Sequence, residues 1–115
     1  RHVADGHAYL IDTFVGMANG QPGPDMNKAA LNAYNAQTGE QHAAADKDET
    51  IQILKQHGAS AAERVRGLSD DQLTRSGKLL SDGPSMPVEQ WIEHVLIGHP
   101  RSHLASIRAA LGQTA

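Results

Sequence analysis

Two histidines near the C-terminal end have the type and spacing in this chain best suited to chemistry. His99 and His103 are four residues apart in a segment rich in Ala, Leu and Ile, a pattern that predicts a helix. Side chains at positions i and i+4 lie on one side of a helix, so two ring nitrogens can meet one metal ion. The alternative is a pair of core histidines satisfied by carbonyl or carboxylate groups. Spacing alone leaves both interpretations open.

The remaining histidines are the candidates for a third ligand: His2, His7, His42, His57 and His94. On an ideal helix His94 points about 140° away from His99, which predicts a surface position. Because His42 and His57 lie among Gln, Lys and Glu residues, we expect both in solvent. His2 and His7 are five residues apart, so at most one of them can face the same ion from one helix.

The composition limits the classes of fold and partner. The chain has 115 residues, a formal net charge of -3 and no Cys, which predicts one domain over residues 1–115. A negative net charge gives no basic field for a phosphate backbone, so nucleic acid is not an expected partner. The sequence has no run of about 18 apolar residues, so no membrane partner is expected. Without Cys, a metal must be held by His or carboxylate groups.

Abundant Ala and the scarcity of Val, Ile and Thr runs predict helices without strands, and therefore an all-α bundle. The predicted helices run from Arg1 to about Asn19, from an Asp25 cap through Tyr34, from an Asp46 cap to about Leu68, over Ser69–Leu73, and from a Ser85 cap to about Leu111. The last helix carries Pro87 in its first turn. Pro100 is expected to kink or loosen it between the turns of His99 and His103.

Helical periodicity also predicts which side chains form the core. The predicted set is Val3, Tyr9, Leu10, Phe14, Val15, Met17 and Ala18 in the first helix, Ile51, Leu54, Gly58, Ala61, Val65 and Leu68 in the third, and Val88, Ile92, Val95, Leu96, Ile107 and Leu111 in the last. Trp91 and Met86 are expected to pack in the core or a loop. The same pattern places His99 and His103 in core positions between aliphatic neighbours.

The first residues, Arg1-His2-Val3, read as the middle of a helix, so we expect further residues to precede them. The apolar face that such a segment would cover is then either exposed or covered by another copy. We therefore expect a tendency to form a homodimer.

Five stretches carry a resemblance to a known family. They are His2-Val3-Ala4-Asp5-Gly6-His7, the Pro22–Pro24 loop, Leu68-Ser69-Asp70-Asp71-Gln72-Leu73, Val88-Glu89-Gln90-Trp91-Ile92-Glu93-His94, and His99-Pro100-Arg101-Ser102-His103-Leu104-Ala105-Ser106-Ile107. Together they resemble the DinB-like (DinB/YfiT) superfamily over nearly the whole chain. The resemblance implies an up-down-down-up four-helix bundle, here without a counterpart of the first helix. It also implies a divalent metal on His2, His99 and His103.

Members of that superfamily are similar to S-transferases that use bacillithiol or mycothiol, to a thiol-dependent maleylpyruvate isomerase, and to proteins described as metal-dependent hydrolases. Three neutral imidazoles leave at least one coordination position open, as in catalytic zinc sites. We therefore expect a cytoplasmic transferase that activates a low-molecular-weight thiol toward a small electrophile. Since the chain has no Cys, the thiol must be a cosubstrate.

Several points stay open at this stage. Zinc is the expected ion, with nickel, iron and manganese as alternatives. A hydrolase that activates water at the same ion, or a bundle that binds metal or a partner without turnover, are the alternative functions. Asp5 lies one turn after His2 and is either an orienting partner of a ligand imidazole or a solvated carboxylate. Tyr34 and Asn35 are expected at the mouth of the site.

Overall fold

The structure is a computed structural model that describes residues 1–112, and these residues are mostly helical. Residues 113–115, the end of the expected domain, lie outside the described residues. The elements are α1 (His2–Ala18), α2 (Lys28–Gln41), α3 (Lys47–Arg66), α4 (Asp70–Thr74), β1 (Ser76–Lys78), β2 (Ser85–Pro87), α5 (Val88–Trp91), a π-helical segment (Ile92–Ile97) and α6 (Gly98–Ala110). We call the continuous run 88–110 the last helix. The predicted helical class is confirmed.

The helix α1 supplies most of the core. Its buried side chains recur at helical spacing and include Phe14, which has no solvent exposure. Tyr9 was predicted to be in this face but is 45% exposed, while Ile11 lies inside at 2%. The helix ends before Gly20, whose φ of 80° is the left-handed conformation that commonly terminates helices. The predicted start and end of α1 are therefore confirmed, whereas the prediction that Tyr9 belongs to its buried face was wrong.

Contacts along α1 fix the directions of its neighbours. The ring of His57 bonds the carbonyl oxygen of Ala4 at 2.7 Å, and Arg64 pairs with Asp12. Positions increase together along both helices, so α1 and α3 are parallel. The last helix is antiparallel to α1, because the ring of Trp91 stacks on Phe14 with centroids 6.2 Å apart while residues after 98 lie beside the start of α1.

The helix α2 connects α1 to α3 and contributes no buried residue. Its N-cap is Asn27, whose side chain accepts from the backbone N–H of Ala30 at 2.8 Å. The predicted cap, Asp25, was therefore wrong by two positions, since both residue types cap helices and the sequence offers both. The predicted Asp46 cap of α3 is confirmed by a bond from the backbone N–H of Glu49 at 2.8 Å.

A two-stranded antiparallel ribbon precedes the last helix and corrects the prediction of helices alone. Ser76 faces Pro87, and Lys78 faces Ser85. Gly77 allows the ribbon to lie on the core, because a Cβ there would stand 2.9 Å from Cγ of Met17. The last helix therefore starts at Val88 and not from a Ser85 cap, and Pro87 stands before it.

The last helix departs from α geometry between Ile92 and Ile97, where its turns are π-helical. The N–H of Gly98 reaches back to the carbonyl of Glu93, the i to i−5 bond that defines this helix type. Pro100 was expected to loosen the helix between the two histidine turns. The irregular turns come earlier instead, and residues 98–110 form a regular α-helix.

The predicted apolar faces of α3 and the last helix are only partly covered. In α3, Ala61 is buried, but Ile51 and Leu54 are 36% and 37% exposed. In the last helix Ile107 and Leu111 are 55% and 68% exposed. Ile51 and Leu54 lie on α3 turns beside the start of α1, where Arg1 pairs with Glu49, and α6 buries no residue. The expectation that these exposed residues lie in the core was wrong.

Within residues 1–112, none of the helices combines the length and the apolar character needed to cross a membrane.

Candidate metal centre

Three histidines that are far apart in sequence meet at one end of the molecule. His2 lies in the first turn of α1, and His99 and His103 lie on successive turns of α6. Because the last helix is antiparallel to α1, its α6 part lies beside the start of α1. The fold thus selects His2, and not His7, as the third histidine beside the predicted pair.

The ring nitrogens converge on a small volume. Nε2 of His99 is 3.1 Å from Nε2 of His2 and 2.9 Å from Nε2 of His103. One nitrogen from each ring lies within 4.8 Å of the other two. The ring planes are close to perpendicular, with angles of 87° and 86° for the two pairs that include His99. The three rings thus form a tripod of ring nitrogens around Nε2 of His99.

Hydrogen bonds among the three rings cannot account for both short contacts to Nε2 of His99. The Nε2 atom of a neutral imidazole has either one hydrogen or one lone pair. Nε2 of His99 therefore makes one good hydrogen bond, yet two other ring nitrogens lie within bonding distance of it. Protonating the rings would place cationic rings side by side. A single cation that accepts all three lone pairs removes the conflict.

Two of the three separations are close to those of a tetrahedral ion. With zinc–nitrogen bonds of about 2.0–2.1 Å, two tetrahedral ligands stand about 3.4 Å apart. The 3.1 and 2.9 Å separations are slightly shorter than this value, so small side-chain rotations bring the rings to ligand positions. The donor set of three imidazoles suits zinc, nickel or iron. The residues present therefore fit a divalent metal.

The surroundings keep two of these rings neutral. Burial lowers the pKa of His99 from its ordinary value of 6.5, and the nearby His103 and His2 lower it further. Burial also lowers the pKa of His2, again with His103 as the next cause. Because a metal ligand must be a neutral imidazole, both shifts favour binding at neutral pH.

The site is less enclosed than the sequence predicted. His99 and His103 are half-buried and His2 is exposed, so none of the three is a fully buried core residue. The expected aliphatic neighbour Ile107 is itself in solvent. Gly6 of α1 lies next to the ring of His99, and a Cβ there would be in ordinary van der Waals contact with Cε1 at 3.9 Å. The open side of His2 gives small molecules direct access.

Two of the other histidines differ from their predicted surroundings. His57 is half-buried, and its Nδ1 donates to the carbonyl of Ala4 at 2.7 Å. Its spacing of three residues from Leu54 and four from Ala61 was a signal for a partly buried position that the polar neighbours obscured. His42 is half-buried, with Nε2 3.8 Å from Asp5. His94 is exposed as predicted.

The expected surrounding residues lie apart from the three rings. Asp5 accepts from Nε of Arg1 at 3.1 and 3.2 Å, and its negative charge acts on His2 only as a minor effect that raises the pKa. Tyr34 is 55% exposed on α2, and Asn35 is half-buried there. Within residues 1–112, no hydrogen bond joins these three side chains to the histidine triad. Their roles at the site stay predictions.

Comparison of the chain with protein-family models, with curated proteins and with solved structures found no match.

Proposed function

We propose that this protein binds a divalent metal, with zinc preferred, through His2, His99 and His103, and that it uses the metal in thiol transfer. The convergence of three ring nitrogens around Nε2 of His99, at 3.1 and 2.9 Å, is the observation that carries the proposal. Ordinary hydrogen bonding leaves this cluster unsatisfied, whereas one cation satisfies it.

A DinB-like arrangement is part of the same proposal. The helix directions support it: α1 and α3 are parallel and joined by the peripheral α2, and the last helix is antiparallel to both, as the last three helices of an up-down-down-up bundle would be. His2 lies on α1, and His99 and His103 lie on the last helix. A cytoplasmic location belongs to the proposal as well, because low-molecular-weight thiols are the expected cosubstrates.

A bound divalent ion would supply Lewis acidity, which lowers the pKa of a thiol or a water toward neutrality. The chain's own residues provide the rest. The two α6 histidines form a fixed pair on a regular helix, and His2 completes the tripod from the exposed side. The lowered pKa values of His2 and His99 keep their lone pairs free of protons. With no Cys in the chain, the nucleophilic sulfur comes from a cosubstrate.

Metal retention tests the first half of the proposal. Elemental analysis of purified protein is expected to find about one ion per chain in the wild type, and His103→Ala is expected to lose it because two ligands remain. His94→Ala is the matched control, since His94 is exposed on the same helix. His57→Ala is expected to keep the ion too. Equal metal content in His103→Ala and His94→Ala would remove the site from consideration.

Thiol transfer tests the second half. The metal-loaded protein is expected to accelerate reaction of a low-molecular-weight thiol, such as bacillithiol or mycothiol, with 1-chloro-2,4-dinitrobenzene, and chelation is expected to abolish the acceleration. Ester hydrolysis without thiol dependence would point to the hydrolase alternative. Full metal content with neither activity would point to a protein that binds metal without turnover.

A further inference from the structure

The end of α1 carries a pair of residues that can react with each other. Asn19 is followed by Gly20, whereas the other three asparagines of the chain precede Lys or Ala. Glycine has no Cβ to hinder its backbone nitrogen, and it adopts many backbone conformations. Its nitrogen can therefore approach the side-chain amide of the preceding asparagine. Asn19 and Gly20 are both exposed, so water reaches them.

The reaction open to this pair is deamidation through a cyclic imide. The backbone nitrogen of Gly20 attacks Cγ of Asn19 and forms a new N–C bond. The side-chain nitrogen leaves as ammonia, with the proton that the backbone nitrogen gives up. Water then opens the imide at either of its carbonyl carbons, which leaves aspartate or isoaspartate at position 19. Each product adds a negative charge, and water is the co-reactant.

The folded protein holds the attacking nitrogen in a hydrogen bond. The N–H of Gly20 donates to the carbonyl oxygen of Met17 at 3.0 Å, and the N–H of Gln21 donates to the carbonyl oxygen of Gly16 at 2.9 Å. Together with the left-handed φ of Gly20, these two bonds form the Schellman motif that ends many helices. The nitrogen is therefore occupied as long as this end of α1 is folded.

The side-chain amide of Asn19 is held as well. Its Oδ1 accepts from Nε2 of Gln72 at 3.0 Å. The amide of Gln72 is in turn oriented by α4, because its Oε1 accepts from the backbone N–H of Ser69 at 2.8 Å in a capping box. Both reacting groups are thus restrained by hydrogen bonds, one at the end of α1 and one in the contact between α1 and α4.

A cation lies beside the reacting pair. Nη1 of Arg75 is 3.2 Å from the position that a Cβ of Gly20 would occupy. A nearby positive charge favours the deprotonated form of a group and attracts an anion. Arg75 therefore favours loss of the proton from the attacking nitrogen and stabilises the carboxylate that the reaction produces.

We infer that Asn19 is a deamidation site and that opening of the contact between α1 and α4 controls its rate. A restrained group reacts through the small fraction of molecules in which its local contacts are open. The rate in folded protein is therefore the rate in the unfolded chain multiplied by that fraction. This inference is independent of the proposed metal chemistry, because it uses neither the triad nor an ion.

The products change the end of α1. A carboxylate at a helix C-terminus opposes the helix dipole, which favours cations there. Isoaspartate also inserts a methylene into the backbone, so the bonds from Gly20 and Gln21 lose their register. The reaction thus loosens the turn that joins α1 to the loop before α2.

Chromatographic peptide mapping with mass spectrometry tests the inference, because it separates Asn, Asp and isoAsp forms of each peptide. Wild-type protein is incubated at neutral pH, folded in buffer and unfolded in guanidinium chloride. In the unfolded chain, conversion at Asn19 is expected to be faster than at the other three asparagines. In the folded protein, conversion at Asn19 is expected to be at least about tenfold slower than in the unfolded chain.

The variant Gln72→Glu separates the contact with Asn19 from the cap of α4. Its carboxylate can still accept from Ser69 but has no hydrogen to donate to Asn19. We expect conversion in folded protein to become about fivefold faster, the effect of losing one ordinary hydrogen bond, and the rate in guanidinium chloride to stay the same. Gln41→Glu, an exposed change on α2, is the matched control and is expected to change neither rate. Circular dichroism checks that each variant is folded.

Three results would overturn the inference. Equal conversion of all four asparagines in the unfolded chain would show that Asn19 is not a preferred site. Equal rates at Asn19 in folded and unfolded protein would show that the fold does not control the reaction. Equal rates in folded Gln72→Glu and Gln41→Glu would show that the contact with α4 does not restrain it.

Discussion

The chemistry of the candidate centre depends on a single nitrogen atom. Nε2 of His99 is the member of the cluster that lies within hydrogen-bond distance of both other rings. Changing His99 therefore removes the centre of the tripod, whereas changing His2 or His103 removes one arm. The three rings together have too few protons and lone pairs in the right places to satisfy one another, and this conflict supports the proposed cation site.

The pH dependence of metal binding follows from the same rings. Burial lowers the pKa of His2 and His99 below 6.5, so protons compete with the metal only in more acidic solution. We expect occupancy to be full at pH 7 and to fall below pH 6.5, with clear loss at pH 4.5 when free metal is limiting. Equilibrium dialysis followed by elemental analysis measures this. Unchanged occupancy at pH 4.5 would exclude histidine ligation.

Acidic pH is also expected to destabilise the metal-free protein. The folded rings release protons more readily than unfolded ones, whose pKa is 6.5. As pH falls below 6.5 the unfolded chain takes up more protons, so these two groups make the metal-free fold less stable.

At this scale the sequence predicts much of the candidate site. The i, i+4 pair was visible from spacing, and the resemblance supplied His2. Spacing alone could not choose between His2 and His7, because that choice depends on which turn of α1 lies beside α6. Polar neighbours in sequence also hid the bond from His57 to the carbonyl of Ala4, since exposure depends on the helix face and not on adjacent residues.

At the scale of elements, the π-helical segment sets the rotation of everything after it. A π turn contains more residues than an α turn, so residues beyond Ile97 are rotated relative to Trp91 and Ile92, which pack in the core. His99 and His103 therefore approach His2 from a helix whose register this segment has shifted.

Deleting one residue from the segment tests how the extra residue is accommodated. Removal of the exposed Glu93 is expected to convert the π turns to α turns, because each i to i−5 bond becomes an i to i−4 bond. His99 and His103 then keep their directions relative to Ile92, so we expect metal binding to be retained with little change in helical content by circular dichroism. The matched control is Glu93→Ala, which keeps the length and is expected to keep the metal. Loss of the ion in the deletion variant alone would show that the site needs the π turns themselves.

The ribbon of β1 and β2 shows why some elements escape prediction. Each strand has three residues, too few for an alternating pattern to appear. Ser85 and Pro87 form an ordinary helix-start signal, but tertiary contacts place them in β2 and the helix starts at Val88. The backbone N–H of Val88 donates to the carbonyl of Arg75 at 2.8 Å, and Nε1 of Trp91 donates to the carbonyl of Gly77 at 2.9 Å.

At the scale of the whole molecule, the candidate centre joins two ends of the chain. His2 and His99 are 97 positions apart, and a cation shared between them ties the start of α1 to α6. Few other contacts hold α6, because it buries no residue of its own. Metal binding is therefore expected to order the end of the bundle that packing holds least.

Thermal unfolding measures this coupling. An ion that binds only the folded state, at a free concentration a thousand times its Kd, stabilises by about 4 kcal/mol. We expect added zinc to raise the Tm of the wild type by several degrees and to leave that of His103→Ala unchanged. An equal rise in both proteins would place the stabilising ion elsewhere.

The helical class and the approximate limits of α1 and α3 followed from apolar positions at steps of three and four. The same pattern did not predict how much of each apolar face is buried. Periodicity shows which side of Ile51 and Leu54 on α3, or of Leu104 and Ile107 on α6, is apolar, but it cannot show whether another element covers that side. In residues 1–112 these positions remain open, a fact that only the tertiary arrangement reveals.

The stacking of Trp91 on Phe14 has a practical consequence. Trp91 is the sole tryptophan of the chain, and it lies 6% exposed where α1, the ribbon and the last helix meet. Its indole emission is thus an intrinsic optical reporter of the junction on which the fold depends. Because the fluorophore lies in the core, a red shift in that emission signals the loss of native packing and not a local event at the surface.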